Sequence, residues 1–348
     1  TPTPSLNLQL DEAYLQYNHS FWEGGPEVRT TAGTVKANYH KLAGYGINSQ
    51  GISVENFELG GFNLSTIYTF DEWTVTPQDG DPRVFTNGFS AEGNLNLSES
   101  GMSDLSLKGV YISKVTSEYY NPAVHDNPVT SKPVFNEISS DNNGLIEVST
   151  SIDNIELSGT YAMDMKQQGL SKDYYNVMMA EVVLPEMNGF DVTASFRDFD
   201  PGYDPVYRDT GNGNLIDKYS NQRGLKIEAD TEIKGYKLGG TFDTYVDKSN
   251  DSTKDYIKLT VHRKLVEKYN LDLVQEMTSV DDGDFTPVTT VTVTGPVLDN
   301  VTGTAKVIAD DIFKAFADSD YSRITGEIKL ESTVDLWKFK KVKLFAGA

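Results

Sequence analysis

The sequence predicts an all-β protein: a transmembrane antiparallel up-and-down β-barrel of about sixteen strands, with eighteen as the alternative. Three observations lead to this prediction. Segments of about ten residues alternate between apolar and polar side chains, which is the periodicity of strands with two different faces. The connections between these segments alternate between short and long along most of the chain. Helical periodicity is nearly absent, the one candidate being the short stretch ADDIFKAFAD at 309–318.

The clearest alternation lies between Gly224 and Asp247. Before the Lys-Gly pair at 234–235, the odd-numbered residues are mostly apolar and the even-numbered residues are charged. After the pair, the even-numbered residues form the apolar side. From Tyr236 to Val246 there are ten steps of about 3.3 Å, and a strand tilt of about 40° reduces this length to about 25 Å of height. That height equals the apolar band of an outer-membrane barrel. The same period of two recurs at 85–97, 155–165, 190–196, 257–261, 291–297 and 324–330.

Connection lengths distinguish a barrel from other all-β folds. Short connections are predicted near Ser100, Asn154, Asn188, Gly235, Lys268, Asn300 and Val334, and longer polar ones at 71–83, 116–143, 167–173, 198–218, 247–254, 278–286 and 314–320. Outer-membrane barrels have short turns at one end and long loops at the other, whereas Greek-key sandwiches mix connection lengths. The longest loop, 116–143, either folds inward as a constriction or lies outside as a lid.

Composition excludes several classes of protein. The formal charge is -21 with only 30 Lys and Arg, so the clustered cations that bind phosphate backbones are missing and nucleic acid is not an expected partner. No apolar run approaches the roughly 20 residues of a spanning helix. The chain has no Cys, which excludes disulfides, thiolate metal sites and thiol catalysis.

If the apolar face meets membrane lipid, the charged face must enclose water, because so many charges cannot occupy a dry interior. The residues predicted to line this pore are Glu156, Asp164, Arg197, Lys226, Glu228, Asp230, Glu232, Lys237, Asp243, Lys258, Arg323, Glu327 and Lys329. In a soluble sandwich the same residues would form an ordinary solvated face.

Aromatic residues are predicted to form two lipid-facing girdles, one beside the short turns and one further along the strands. They are Phe62, Tyr68, Tyr111, Tyr161, Phe190, Tyr236, Phe242, Tyr269 and Trp337. The alternative interpretation is that strands are simply rich in aromatic residues.

No catalytic, cofactor or metal site is predicted. The four histidines, His19, His40, His125 and His262, lack a metal-binding spacing. The stretch DTGNGNLID at 209–217 resembles a calcium loop, but glycines occupy positions that need oxygen ligands, so ordinary turn chemistry is favoured.

The stretch FDVTASFRDFDPGYDPVYRD, residues 190–209, resembles the barrel part of the S-layer-homology-anchored outer-membrane porins of diderm bacteria. Over most of the chain only the pattern of strands and connections is similar. The residues themselves are similar only in this stretch. The resemblance implies a trimeric barrel joined by a stalk to an upstream domain that binds cell-wall polymer. This sequence contains nothing that matches that domain, and it ends KLFAGA, with its last aromatic residue at Phe345 rather than at the terminus.

Together these observations predict a single-domain outer-membrane porin over residues 1–348, a passive channel for small hydrophilic solutes and ions. Acidic connections such as DFDPGYDP and SVDDGD predict a modest cation preference. The alternatives are a secreted β-rich adhesin or surface-layer subunit and, less favoured because no nucleophile–base constellation is found, a barrel enzyme.

Overall fold

The computed structural model describes residues 14–20, 22–71, 82–95, 105–120, 134–211, 214–265, 268–298, 301–310, 324–336 and 339–347. In these residues the chain forms eighteen strands, joined in one sheet, and one short helix. The strands are β1 Tyr14–His19, β2 Val28–Ala37, β3 Ile47–Leu59, β4 Phe62–Asp71, β5 Pro82–Leu95, β6 Leu105–Tyr120, β7 Val134–Ile152, β8 Ile155–Gln168, β9 Ser171–Met187, β10 Phe190–Phe199, β11 Gln222–Ile233, β12 Tyr236–Asp247, β13 Ser252–Leu265, β14 Tyr269–Val280, β15 Thr286–Leu298, β16 Val301–Asp310, β17 Ile324–Leu336 and β18 Phe339–Gly347; the helix, α1, is Leu215–Tyr219.

Consecutive strands pair antiparallel from β1 to β7 and from β11 to β18, which confirms the predicted all-β, up-and-down class. The strand count is eighteen in the described part of the chain, the alternative rather than the preferred sixteen. Within the described residues, no helix has the length and apolarity needed to cross a membrane.

Several hairpins close through two-residue turns that need left-handed backbone. Asn154 and Asn188 adopt φ of 68° and 55°, and Gly60 adopts 59°, which Gly and Asn tolerate best. The turns predicted near Asn154, Asn188 and Gly235 lie at these tight connections.

Two details of the predicted connections are wrong. The long connection expected at 167–173 is a two-residue turn, because β8 continues to Gln168 and β9 begins at Ser171. Gly169, with φ of 59°, makes so tight a turn possible. Val334, expected at a short connection, lies within β17. The turns near Ser100 and Asn300, the loop tip at 121–133 and most of the predicted helical stretch lie outside the described residues.

The chain divides into two compact units. Unit 1 comprises Thr1–Asp153, Leu157–Ala180 and Asp198–Asn221, and unit 2 comprises Asn154–Glu156, Glu181–Arg197 and Gln222–Ala348. In each unit we call the strand face that carries the exposed apolar side chains the apolar face, and the opposite one the polar face.

The apolar face of unit 1 follows from the strand register. Ile52 pairs with Tyr68, and Phe89 pairs with Tyr111, so these side chains lie on one side of neighbouring strands. All four are exposed, as is Ile146 at 59%. Large apolar side chains therefore cover the surface of this unit rather than its interior.

The polar face of unit 1 packs against two connecting segments, 38–46 and 200–221, and the second is described except for residues 212–213. Aliphatic residues on this face, such as Ile67 and Ile112, form a buried core with Leu42 of the first segment and Tyr203 and Ile216 of the second. The sequence analysis expected only solvated charges on this face. The aliphatic residues are present because part of the face is covered by these segments, and their burial removes apolar surface from water.

Unit 2 has the same two-faced strands. Ile227 pairs with Phe242, which pairs with Ile257, and Val307 pairs with Gly326 on the same kind of face. The exposed large side chains of this apolar face include Leu225, Ile227, Phe242, Leu259, Val307 and Ile328. Its polar face carries most of the charged residues of β10 to β14, β16 and β17. Asp255, which pairs with Thr244, is instead on the apolar face.

Candidate functional site

The 200–221 segment is anchored on the polar face of unit 1 by a buried tyrosine. The Tyr203 hydroxyl donates to the backbone oxygen of Leu42 at 3.1 Å and accepts from Asn143 Nδ2 at 3.1 Å. One side chain thus joins the 200–221 segment to the 38–46 segment and to β7. Burial raises the pKa of the Tyr203 phenol, the nearby Asp164 and Asp141 charges add to this rise, and the hydrogen bond from Asn143 opposes it.

A second set of contacts holds the segment further along. The Tyr207 hydroxyl lies 3.0 Å from Thr86 Oγ1 on β5. The backbone N–H of Tyr45 donates to the Tyr207 oxygen at 3.2 Å, and the N–H of Asp209 donates to the Lys41 oxygen at 3.0 Å. Backbone groups of the two segments therefore satisfy each other where neither belongs to a strand.

The end of the 200–221 segment is held by side-chain bonds around α1. Asn214 caps the helix by accepting from the Asp217 N–H at 2.9 Å, and Asp217 Oδ2 accepts in turn from Asn214 Nδ2 at 2.7 Å. Arg208 bridges Asp204 at 2.6 Å and Asp217 at 3.0 Å. The bonds from Asn214 and Arg208 lower the pKa of Asp217. These are the bonds of a turn and a helix cap.

Charged residues on the polar face of β6 to β8 lie close to this segment. Lys114 pairs in register with Thr86 on one side and Asp141 on the other. Lys166 Nζ lies 3.6 Å from Asp164 Oδ2. The two ammonium groups also face aromatic rings, since Lys114 Nζ is 5.5 Å from the Tyr207 ring and Lys166 Nζ is 5.8 Å from that of Tyr175.

Ion pairs also run across the polar face of unit 2. Arg197, only 4% exposed, bridges Asp243 at 2.8 Å, and its Nε donates to Gln222 Oε1 at 3.0 Å. Lys226 Nζ lies 2.6 Å from Glu228, and Lys258 Nζ lies 3.6 Å from Glu276. In these three pairs a basic side chain lies beside an acidic one, so their charges compensate each other.

An open pocket of about 550 Å³ lies on the polar face of unit 2, near the turns at 188–189 and 234–235. Four of its lining residues are acidic, and Lys237 and His262 are the basic ones. The acidic residues are Glu186, Asp191, Asp230 and Glu232. This part of the face carries an excess of negative charge that would attract cations.

The structure places the predicted pore-lining residues in three environments. Glu156, Asp230, Glu232, Lys237, Glu327 and Lys329 are exposed, whereas Lys226, Glu228, Asp243 and Lys258 are partly buried. Asp164 and Arg197 are buried, at 0% and 4% exposure, because each lies among packed strands beside an oppositely charged partner. Arg323 lies outside the described residues.

Most of the predicted girdle residues lie at the surface. Tyr68, Tyr111, Tyr161, Phe190, Phe242 and Tyr269 are exposed. Phe62 and Tyr236 are partly covered, the latter by the Arg263 guanidinium, 4.1 Å from its ring centroid. Trp337 lies outside the described residues.

Sequence reasoning missed the two covering segments and their anchors Tyr203 and Tyr207. A signal was available, because the stretch expected to be a polar loop contains two tyrosines, Val206, Leu215 and Ile216. Apolar side chains in a long loop indicate that the loop has something to pack against. In the described residues, no group of three or more His, Asp or Glu side chains is arranged to hold a metal.

No protein-family model matches the chain, and neither does any curated protein sequence. Among solved structures, the ferric-catecholate import receptor Fiu from E. coli K12 is 8% identical with a TM-score of 0.41, over 89% of this chain and 57% of that one. A mutant of the ferric enterobactin receptor PfeA from Pseudomonas aeruginosa is 9% identical with a TM-score of 0.36, over 93% and 70%. Likenesses this weak carry no information on what this chain binds.

Proposed function

We propose that the chain is an outer-membrane β-barrel that forms a water-filled passive channel for small hydrophilic solutes and ions. The observation that supports this most directly is the division of the strands. The same strands carry exposed large apolar side chains on one face and charged side chains on the other. A membrane-spanning barrel has this pattern because one face meets lipid and the other meets water.

The amount of exposed apolar surface favours a membrane partner. Ile146 and Ile328 are 59% and 62% exposed, and Leu259 is 48% exposed. Soluble monomers rarely expose contiguous apolar patches larger than a few hundred Å². Lipid would cover this face, and a closed barrel would leave no unpaired strand edge within the hydrocarbon.

The charged face favours a hydrated lumen. The charges within the pairs Arg197–Asp243 and Lys258–Glu276 compensate each other. The exposed carboxylates of Asp230 and Glu232 need water. We assign the constriction to the 200–221 segment rather than to the 116–143 loop. The 200–221 segment packs on the polar face, where it would narrow an aqueous path.

The acidic residues set the expected selectivity. The formal charge of -21 and the acidic pocket of unit 2 favour a modest preference for cations. Because exposed charges are screened within about 8 Å at physiological ionic strength, this preference should weaken at high salt. A homotrimer is also part of the proposal, supported by the resemblance alone.

The test is a planar-bilayer measurement with the purified chain in a KCl gradient. We expect steady ohmic channels whose reversal potential favours K⁺, and a smaller K⁺ preference in the double variant Asp230→Asn, Glu232→Gln. Asp255→Asn is the matched control, because Asp255 pairs with Thr244 and therefore lies on the apolar face. Anion selectivity would overturn the proposal that acidic residues make the channel prefer cations. Protein that is soluble without detergent would favour the secreted adhesin or surface-layer alternative.

A further inference from the structure

Three oxygen atoms lie buried without a hydrogen-bond donor beneath the 200–221 segment of unit 1. They are both carboxylate oxygens of Asp164 and the amide oxygen of Asn143, and no described donor reaches full hydrogen-bond geometry with them. Asp164 is 0% exposed and Asn143 is 2% exposed. Buried acceptors left unsatisfied are destabilising, and more so when they are charged, so this cluster requires an explanation.

The orientation of Asn143 is fixed by its neighbours. Its Nδ2 donates to the Met163 backbone oxygen at 3.2 Å and to the Tyr203 hydroxyl at 3.1 Å. Turning the amide over would place its oxygen against the Met163 carbonyl oxygen. Asn143 therefore presents an acceptor, not a donor, to the remaining side of its pocket.

A second carboxyl group adjoins Asp164. The side chain of Asp141 on β7 adjoins that of Asp164 on β8, and the backbone N–H of Asp204 in the 200–221 segment is directed at Asp164. Neither approach reaches full hydrogen-bond geometry. Two carboxylates in contact repel each other strongly in a buried site unless positive charge lies between them or one of them is protonated. The site thus gathers acceptor oxygens from two strands.

Neither nearby lysine satisfies the carboxylate oxygens of Asp164. Lys166 Nζ lies 3.6 Å from Asp164 Oδ2, beyond hydrogen-bond distance, and it also faces the Tyr175 ring. Lys114 is the register neighbour of Asp141, and its Nζ lies over the Tyr207 ring. The lysines balance the formal charge of the two carboxylates without satisfying the oxygens of Asp164.

We propose that Asp141, Asp164 and Asn143 bind a calcium-class cation that ties β7 and β8 together beneath the 200–221 segment. Carboxylate and amide oxygens are the ligands Ca²⁺ prefers, and its flexible coordination allows water to complete the shell. The donor set has no nitrogen or sulfur, which disfavours zinc and copper. The proposal does not depend on the channel function.

Bound cation would compete with the Lys166 ammonium group. The Lys166 side chain is 36% exposed and free to withdraw toward solvent and the Tyr175 ring when the cation enters. Replacing Lys166 by Met should therefore strengthen binding, whereas replacing Asp164 by Asn should weaken it. Opposite effects of two neighbouring substitutions distinguish a specific site from general damage to the fold.

The experiment is a titration of the chelator-treated full chain in detergent with Tb³⁺, a luminescent substitute for Ca²⁺ that nearby tyrosines sensitise. Tyr203 bonds directly to Asn143 and is the expected donor. We expect emission that Ca²⁺ reverses and equal concentrations of K⁺ do not. The affinity should fall at least tenfold in Asp164→Asn and in Asp141→Asn, and rise in Lys166→Met. The control Asp173→Asn, an exposed carboxylate on β9, should leave it unchanged.

Metal content gives a second reading that does not depend on tyrosine emission. After equilibration with Ca²⁺ and washing, wild-type protein should retain one more Ca²⁺ per chain than Asp164→Asn. Equal retention would overturn the proposal, as would Tb³⁺ emission that is unchanged in both aspartate variants. If Asp141 and Asp164 share a proton instead, Tb³⁺ and Ca²⁺ will bind wild type and the aspartate variants equally. That result would mean that the site does not bind a cation.

Discussion

At the scale of single residues, the most consequential side chain is one with no obvious role in the sequence. Tyr203 is buried among Leu42, Asn143 and Phe199, and its hydroxyl is both donor and acceptor. Sequence reasoning treated its stretch as a polar loop. The partners of Tyr203 lie 161 and 60 residues away, so no local pattern indicates them.

The buried phenol gives a testable titration. Because burial raises the pKa of Tyr203, the group should remain neutral when ordinary tyrosines ionise near pH 10. Its contribution to stability is present below pH 10 and is lost as pH rises toward the raised value. In difference absorbance at 295 nm, wild type minus Tyr203→Phe should show no step near pH 10. A full step there would contradict the described environment.

Gly88 shows how closely the polar face of unit 1 is packed. A Cβ at this position would lie 2.5 Å from Ile67 Cγ2 and 2.9 Å from Ile112 Cδ1, the residues on either side in register. We expect Gly88→Ala to destabilise the protein by about 1–3 kcal/mol through overpacking. The control is Gly109→Ala on β6, where a Cβ meets nothing within 4 Å. Urea unfolding of both variants, followed by tryptophan fluorescence, makes the comparison, and equal midpoints would refute the packing.

At the scale of elements, the local alternation of apolar and polar residues predicts the strands. It does not predict where the 200–221 segment packs. Strands β11 and β12 pair over twelve positions, with the turn at Lys234–Gly235 setting the register. The alternation of apolar and charged residues predicted this hairpin correctly. The 200–221 segment has no such period, and its position depends on contacts with the 38–46 segment and with β5 and β7.

The proposed role of this segment predicts a change in conductance. Replacing residues 201–211 by a Gly-Ser linker of the same length removes the anchors Tyr203 and Tyr207, so the linker should leave the polar face. We expect a larger single-channel conductance in planar bilayers. The same kind of replacement at 248–251, the four-residue connection between β12 and β13, is the control and should leave conductance unchanged. No change in the first variant would mean that the segment does not restrict the aqueous path.

At the scale of the whole molecule, the decisive question is what covers the apolar face. Leu259 lies near the middle of β13 and is 48% exposed, while its neighbour Thr260 points to the polar face. In a membrane, a lysine on the lipid face near the midplane costs about 2–4 kcal/mol. On a water-covered surface the same substitution is usually within about 0.5 kcal/mol of neutral.

We therefore expect Leu259→Lys to destabilise the protein folded in lipid vesicles, measured by unfolding in urea, by several times more than Thr260→Lys. The pair differs by one position along a strand, so local strand preference is nearly matched. Equal effects of the two substitutions would argue against lipid contact at this face and in favour of a soluble surface protein.

The sequence by itself determined the all-β class, the antiparallel up-and-down order and the hairpin turns near Asn154, Asn188 and Gly235. These depend on the period of two and on the backbone preferences of Gly and Asn, which are properties of neighbouring residues. Only the tertiary structure decided that Asp164 and Arg197 are buried while Asp230 and Lys329 are exposed, although all four follow the same alternation. The physical reason is that alternation fixes which face a side chain joins, whereas burial depends on which distant segment packs on that face.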